Sequence, residues 1–196
     1  MSKTINILSV IDVETIIANN VPSGTLGSPT NLGSYGDSDA YVYMITRSGY
    51  VDTDDKTRAD SELTVDAAIG DTIQWELTCP GSGLQHDAII AGVTINNAAS
   101  ISEPQAVTED RHVYDSAGSS TFQRVSQTDY KSTVGAIGLT QYSITFQIMT
   151  SAGVSLGYYL WDPFIAVKGQ PVSGGTTWIS EGTQILKNGE PVFLNG

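Results

Sequence analysis

The sequence predicts an all-β protein: an antiparallel β-sandwich, jelly-roll-like or Ig-like, with at most one short helix and a C-terminal hairpin. Two observations predict it. Apolar residues recur with a period of two at Ile73–Leu77, Ile89–Ile95 and Tyr142–Ile148, the alternation of a strand with one buried face. No stretch carries a long helical period, and short strands punctuated by turn residues suit a sandwich. A chain of 196 residues fits one all-β unit and can bury about 70% of its unfolded surface.

In order along the chain, Ile5-Asn6-Ile7-Leu8-Ser9-Val10-Ile11 is nearly continuous apolar and β-branched, as in a central strand covered on both faces. A short helix follows at Asp12–Ile17, with Asp12 as N-cap and Thr15 where a capping-box acid would serve better. Asn, Pro, Gly, Ser and Asp dominate from Asn19 to Asp39, a loop of a length that is usually functional or mobile. Tyr41–Ile45 is the next strand, Asp52–Lys56 an acidic turn, and Leu63–Ala67 an alternating segment. Gly70-Asp71 then turns into Thr72–Thr78, where Ile73, Trp75 and Leu77 share a face. Each of these apolar side chains contributes roughly 1.5–3 kcal/mol once buried.

Cys79-Pro80-Gly81-Ser82-Gly83 breaks that strand, and Ala88–Ile95 resumes with Ile89, Ala91, Val93 and Ile95 on one side. Residues 96–133 are polar and show no clear period. Tyr142, Ile144, Phe146 and Ile148 alternate with Gln141, Ser143, Thr145 and Gln147, and Ser151-Ala152-Gly153 turns the chain back through Tyr158–Val167, interrupted at Asp162-Pro163. Residues 1–169 are read as one sandwich domain and 170–196 as an extension. That extension opens on Pro171-Val172-Ser173-Gly174-Gly175 and carries Asn188-Gly189, a strong hairpin signal, with Pro191 placing its strand at an edge. Trp178, Ile179, Ile185, Leu186, Val192, Phe193 and Leu194 are too much apolar surface to leave in water. The extension is therefore expected to join chains together, with docking on its own sandwich as the alternative.

The net charge of −12, from 21 acidic residues against 9 Lys and Arg, argues against nucleic acid, which demands clustered cations. Anionic membranes are disfavoured for the same reason. No apolar run approaches the roughly 18 residues of a membrane span, so no membrane insertion is expected. The start, Met1-Ser2-Lys3-Thr4-Ile5, reads straight into a strand without the features of a secretory leader. The default expectation is a cytoplasmic protein, with non-classical export left open. Cys79 is the only cysteine, which precludes an internal disulfide and a thiolate zinc cluster.

Catalytic chemistry has little to draw on. His86 and His112 are the only histidines, and Cys79 followed by His86 lacks the strand–nucleophile–helix context of an activated thiol. The acidic turn Asp52, Asp54, Asp55 and Asp60 is the candidate calcium site, because short Asp-x-Asp spacings let one loop supply several oxygens. It is not an EF-hand: Lys56 occupies a ligand position and no glycine makes the central bend. Asp37 and Asp39 are a second acidic pair. Tyr158, Tyr159, Trp161 and Asp162, with Tyr35 and Tyr50, form the candidate carbohydrate site, since sugar rings stack on aromatic faces while carboxylates bind hydroxyls. The competing reading of Trp161 is a core residue on a strand that kinks at Asp162-Pro163.

Four segments resemble the AidA/PixA family of bacterial proteins. They are Ser2–Glu14 (SKTINILSVIDVE), Ala40–Ile45, the stretch from Ser61-Glu62-Leu63-Thr64-Val65 to Gly70-Asp71-Thr72-Ile73-Gln74-Trp75, and Trp161–Val167. Their order and spacing span residues 2–167. The resemblance implies a quorum-sensing-controlled acidic protein or a component of intracellular protein inclusions, in bacteria that associate with hosts. It implies no enzymatic activity and no functional residues to carry over. With three Met, the chain departs from the methionine-rich inclusion branch and looks closer to the acidic, autoinducer-dependent one. The expectation is a non-catalytic, self-associating homo-oligomer that recognises a ligand, carbohydrate being the candidate, during host association. The alternative is an inert inclusion-forming or storage protein.

Overall fold

The computed structural model describes residues 2–33, 37–52, 59–81, 84–96 and 100–167, together with the backbone of three short strands between 176 and 192. In chain order these residues form β1 (Thr4–Ile11), α1 (Val13–Ala18), β2 (Thr30–Asn31), β3 (Val42–Ile45), β4 (Val65–Ala67), β5 (Thr72–Thr78) and β6 (His86–Ile95). There follow β7 (Gln105–Tyr114), β8 (Phe122–Thr133), β9 (Gly138–Thr150), β10 (Ser155–Trp161), β11 (Phe164–Val167), β12 (Thr176–Trp178), β13 (Ile185–Lys187) and β14 (Glu190–Val192). The all-β reading with one short helix holds. Asp12 caps that helix: its carboxylate accepts from the Thr15 amide at 3.0 Å and the Thr15 hydroxyl at 2.8 Å.

Two sheets enclose one core. The first runs β3-β1-β5-β8-β7. The second is built on β9, which pairs with β6 along one edge and with β10 and then β11 along the other. Most pairings are antiparallel, as expected, but both sheets are mixed. β1 runs parallel to β5, β2 to β10 and β4 to β11. A parallel neighbour requires a crossover, and the turn-rich pattern of the sequence does not reveal one.

The alternating strands face inward as their periods predict. Ile73 and Trp75 of β5 are fully buried, and so are Tyr142, Ile144, Phe146 and Ile148 of β9. β1 differs from expectation: Ile5, Ile7, Ser9 and Ile11 are buried while its other face is only partly covered. In β6 the predicted face also needs correction. Ala88, Ile90 and Val93 point into the core and Ile89 is exposed. A bulge between Ile90 and Gly92 inserts one residue, which swaps the inward face partway along the strand.

The returning strand is divided where Asp162-Pro163 was expected to interrupt it, and the Tyr142 amide donates to the Pro163 carbonyl at 3.1 Å between the two halves. The segment read as a long loop lies along β10 instead of standing clear of it. Tyr158 N–H donates to the Gly24 carbonyl and Leu32 N–H to the Leu160 carbonyl, on either side of the β2 pairing. Gly157 permits this approach: its φ is +135°, and a Cβ there would lie 2.5 Å from that of Ser23. At the other end of the chain, β13 and β14 pair with Lys187 opposite Glu190, the register of the hairpin predicted at Asn188-Gly189.

Ile144→Asp is expected to unfold the domain or nearly so, whereas Thr145→Asp, half-exposed on the same strand, should be close to neutral. An unpaired buried charge costs several kcal/mol against a total stability of about 5–15 kcal/mol. Chemical denaturation checks this, and equal midpoints for the two variants would refute the face assignment.

Candidate functional site

The aromatic candidates are divided between core and surface. Trp161 is fully buried and Tyr159 nearly so. Trp161 packs edge-on to Phe146 and its indole N–H points at the Met44 sulfur, 3.4 Å away. Tyr159 stacks on Phe146 with centroids 5.7 Å apart. These rings already spend their faces on the interior, so they offer no platform for a sugar. Tyr158 remains half-exposed on the opposite face of β10. Tyr50 lies on another element, a single 3-10 turn at Ser48–Tyr50, with the Lys3 ammonium 4.6 Å above its ring. Tyr35 lies outside the described residues.

Asp162 holds the kink. One oxygen accepts from the Gln141 amide at 2.7 Å, while the other is buried without a hydrogen bond. Desolvation raises its carboxyl above the ordinary aspartate value, partly offset by its own backbone amide and by Gln141. This is the environment of a structural residue at a strand break.

Of the acidic turn, Asp54 and Asp55 lie outside the described residues. Asp52 is buried, and its amide donates to the Thr64 carbonyl. The Asp60 carbonyl accepts from the Met44 amide. Asp39, of the second acidic pair, accepts from both the amide and the hydroxyl of Ser61 at 2.8 Å, and the Ser61 hydroxyl also meets that of Ser38 at 2.6 Å. Asp39 therefore clamps two loops. Among the described residues, no three His, Cys, Asp or Glu side chains are grouped to hold a metal ion.

The Cys79 thiol is buried and donates to the His86 carbonyl and the Asp87 carboxylate. The His86 ring turns away to Glu14, with Nδ1 2.6 Å from the carboxylate. Thiol and imidazole are thus not aligned for proton transfer, which requires a direct hydrogen bond or one bridging water.

The sequence reading missed one extended polar constellation among the described residues. On the outer face of the first sheet, Arg111 of β7 bridges Glu76 of β5 at 2.8 Å and the fully buried Asp129 of β8 at 2.6 Å. Gln74 donates to Asp129 and Glu109, and Lys131 pairs with Glu109. The hydrogen bond to Glu76 and, after it, the partners at Asp129 raise the guanidinium pKa above its usual value. The bond to Lys131 is the largest influence holding Glu109 below the usual carboxylate range. These groups come from three strands and are brought together by register alone. The three carboxylates and two cations are paired with one another across the strands, so the arrangement ties β7 and β8 to the sheet.

A family model described as PixA, inclusion body protein, matches residues 3–167. Among solved structures, the crystal structure of an inclusion body protein from Burkholderia cenocepacia J2315 superposes with a TM-score of 0.71. It is 19% identical and covers 85% of this chain and 97% of that one, a likeness that shows the fold. The solution structure of Amebosin aligns with a TM-score of 0.24 at 12% identity, over 54% of this chain and 88% of that one, and carries no argument. No curated protein matches the sequence.

Two outcomes follow from this geometry. Arg111→Met leaves Asp129 buried without its cation and should lower stability by on the order of 3 kcal/mol, while adding Asp129→Leu should recover much of the loss. Additive losses in a double-mutant cycle would argue against the coupling. For Asp162, a raised folded-state pKa means that the charged form is disfavoured by folding. Asp162→Asn should therefore stabilise the protein at pH 7, and this advantage should fade as the pH falls through the raised pKa and wild-type Asp162 becomes neutral. Thermal melts of the two proteins at pH 7 and pH 3.5 check this; a gap that widens in acid would contradict it.

Proposed function

This chain belongs to the PixA family of inclusion body proteins, and from that premise we propose that it is a non-catalytic packing protein whose folded copies assemble into inclusions. The family match across residues 3–167 carries the reading. The interior supports it, because the buried aromatic rings and the polar groups at Cys79, His86, Asp39 and Asp129 are engaged in holding the fold. Charge supports it too. At −12 the copies repel one another, which keeps the protein dispersed until its carboxylates are neutralised or paired.

Expression under quorum-sensing control is a finer part of this proposal that rests on the resemblance of the sequence. A carbohydrate ligand has less behind it now that Trp161 and Tyr159 belong to the core. Association through residues 170–196 is a separate part of the proposal, motivated by their apolar content.

Overexpression of the intact chain in a heterologous bacterium should give dense bodies, since mass action at high concentration outweighs the repulsion, and these should dissolve on dilution at neutral pH without denaturant into folded protein. In solution, lowering the pH from 7 towards the isoelectric point near 4.2 protonates carboxylates, whose ordinary pKa is about 4, and removes the repulsion. The scattering mass should then rise steeply and return at pH 7 with the circular dichroism unchanged. Protein that remains monomeric over this range, or bodies that dissolve only in denaturant, would contradict the reading. A chain ending at Gly169 that scatters identically would remove the extension from the account.

A further inference from the structure

Beyond Val167 the chain builds one more small sheet, whose strands β12, β13 and β14 pair only with one another among the described strands. Their register sets Trp178, Ile185 and Val192 in one row across the three strands. Thr176, Lys187 and Glu190 form the row two positions along the same face, and Thr177, Leu186 and Pro191 belong to the other face. A sheet with an apolar row must bury it against another element. Three strands of three residues each make a single layer and cannot supply that element themselves.

An apolar face lies where the chain leaves the second sheet. On the outer side of that sheet Leu139 of β9 is opposite Ala166 of β11, and Gln141 is opposite Phe164. Leu139 is 50% exposed, as is Ile137 just before the strand at 52%. Ala166 and Phe164 are half-buried on the same side as Leu139, and Asp66 of β4, opposite Ala166, borders them. From Val167 the chain passes into residues 168–175, which lead to β12. Eight residues span at most about 28 Å when extended, and packed sheets stand about 10 Å apart. A layer over β9 and β11 is therefore within reach. The exposed apolar residues outside the first sheet, Tyr43 and Ile45, lie two such spacings away and beyond a sheet edge.

We propose that β12–β14 seat as a third layer on the outer face of β9 and β11, with the Trp178–Ile185–Val192 row over Leu139 and Phe164. In a dispersed copy the short tether favours the copy's own face, at an effective concentration on the order of millimolar. Where copies are packed more densely, the same contact is exchanged between neighbours, as in the domain swapping by which identical chains associate. The exchange rests on the inclusion-forming reading and gives residues 170–196 their surface. The seating stands apart from that reading.

Trp178 reports on the seating, because Trp75 and Trp161 are fully buried in the core. The full chain is compared with Leu139→Glu, and with Val125→Glu on β8 as a control at a position 45% exposed. Both variants should keep the wild-type circular dichroism. In dilute solution, acrylamide quenching of tryptophan emission should rise at least threefold in Leu139→Glu and stay at the wild-type level in Val125→Glu. Equal quenching in wild type and Leu139→Glu, or a rise in both variants, overturns the seating. Ile137→Glu takes the place of Leu139→Glu if that chain loses its fold. For the exchange, Leu139→Glu keeps a layer without a face, and Ile185→Glu keeps a face without a layer. At concentrations where wild type associates, analytical ultracentrifugation should find each variant single and their equal mixture in pairs. A mixture that stays single overturns the exchange while the quenching result decides the seating. Wild type that never associates overturns the packing reading and the exchange with it, and the quenching result again decides the seating alone.

Discussion

The structure depends on the meeting of two alternating strands from opposite sheets. Trp75 of β5 and Tyr142 of β9 approach to 5.3 Å between ring centroids, in the tilted arrangement that aromatic pairs prefer. Around this contact lie the buried neighbours that share their faces, Ile73 on one side and Ile144, Phe146 and Ile148 on the other. Burial pushes the Tyr142 phenol well above its ordinary pKa. Both strands are central. β5 lies between β1 and β8, and β9 between β6 and the divided strand β10–β11, so each organises its own sheet.

Much of the polar chemistry follows from serving that core. The kink at Asp162-Pro163 lets one strand cover two stretches of β9 while Trp161 reaches across to Met44 of the other sheet. Asp39 and Ser61 join the loops that flank β3. The Arg111–Asp129–Glu76 cluster lies on the far side of the first sheet, where it carries the load of a hairpin that extends past its support. The exterior keeps the net negative charge and the exposed end of the β7–β8 ribbon.

What could be read from the sequence tracks burial. Strands with one wet face announce themselves, and for β5 and β9 the faces were assigned residue by residue. β6 shows the limit of that logic, since a single bulged residue moves the inward set from Ala88 and Ile90 to Val93. β7 and β8 were invisible for the opposite reason. A ribbon exposed on both faces need not alternate, and Gln105–Tyr114 and Phe122–Thr133 read as polar, unpatterned chain. Their one available signal was the β-branched and aromatic content at Val113, Tyr114, Phe122 and Val125 in an otherwise polar stretch. The site residues fared by the same rule: Trp161 and Tyr159 sit on the buried parity of β10 and Tyr158 on the exposed one. No local pattern could pair Arg111 with Glu76 and Asp129, because strand register alone brings those three together.

The central claim is that inclusions of this protein are made of natively folded copies held by their surfaces. Hydrogen–deuterium exchange comparing the assembled with the dispersed protein tests this most directly. The account predicts that amides of β5 and β9 are equally slow in both forms, with new protection confined to surface segments. Faster exchange in β5 and β9 within the assembled form would mean that the core opens on assembly, and would contradict it.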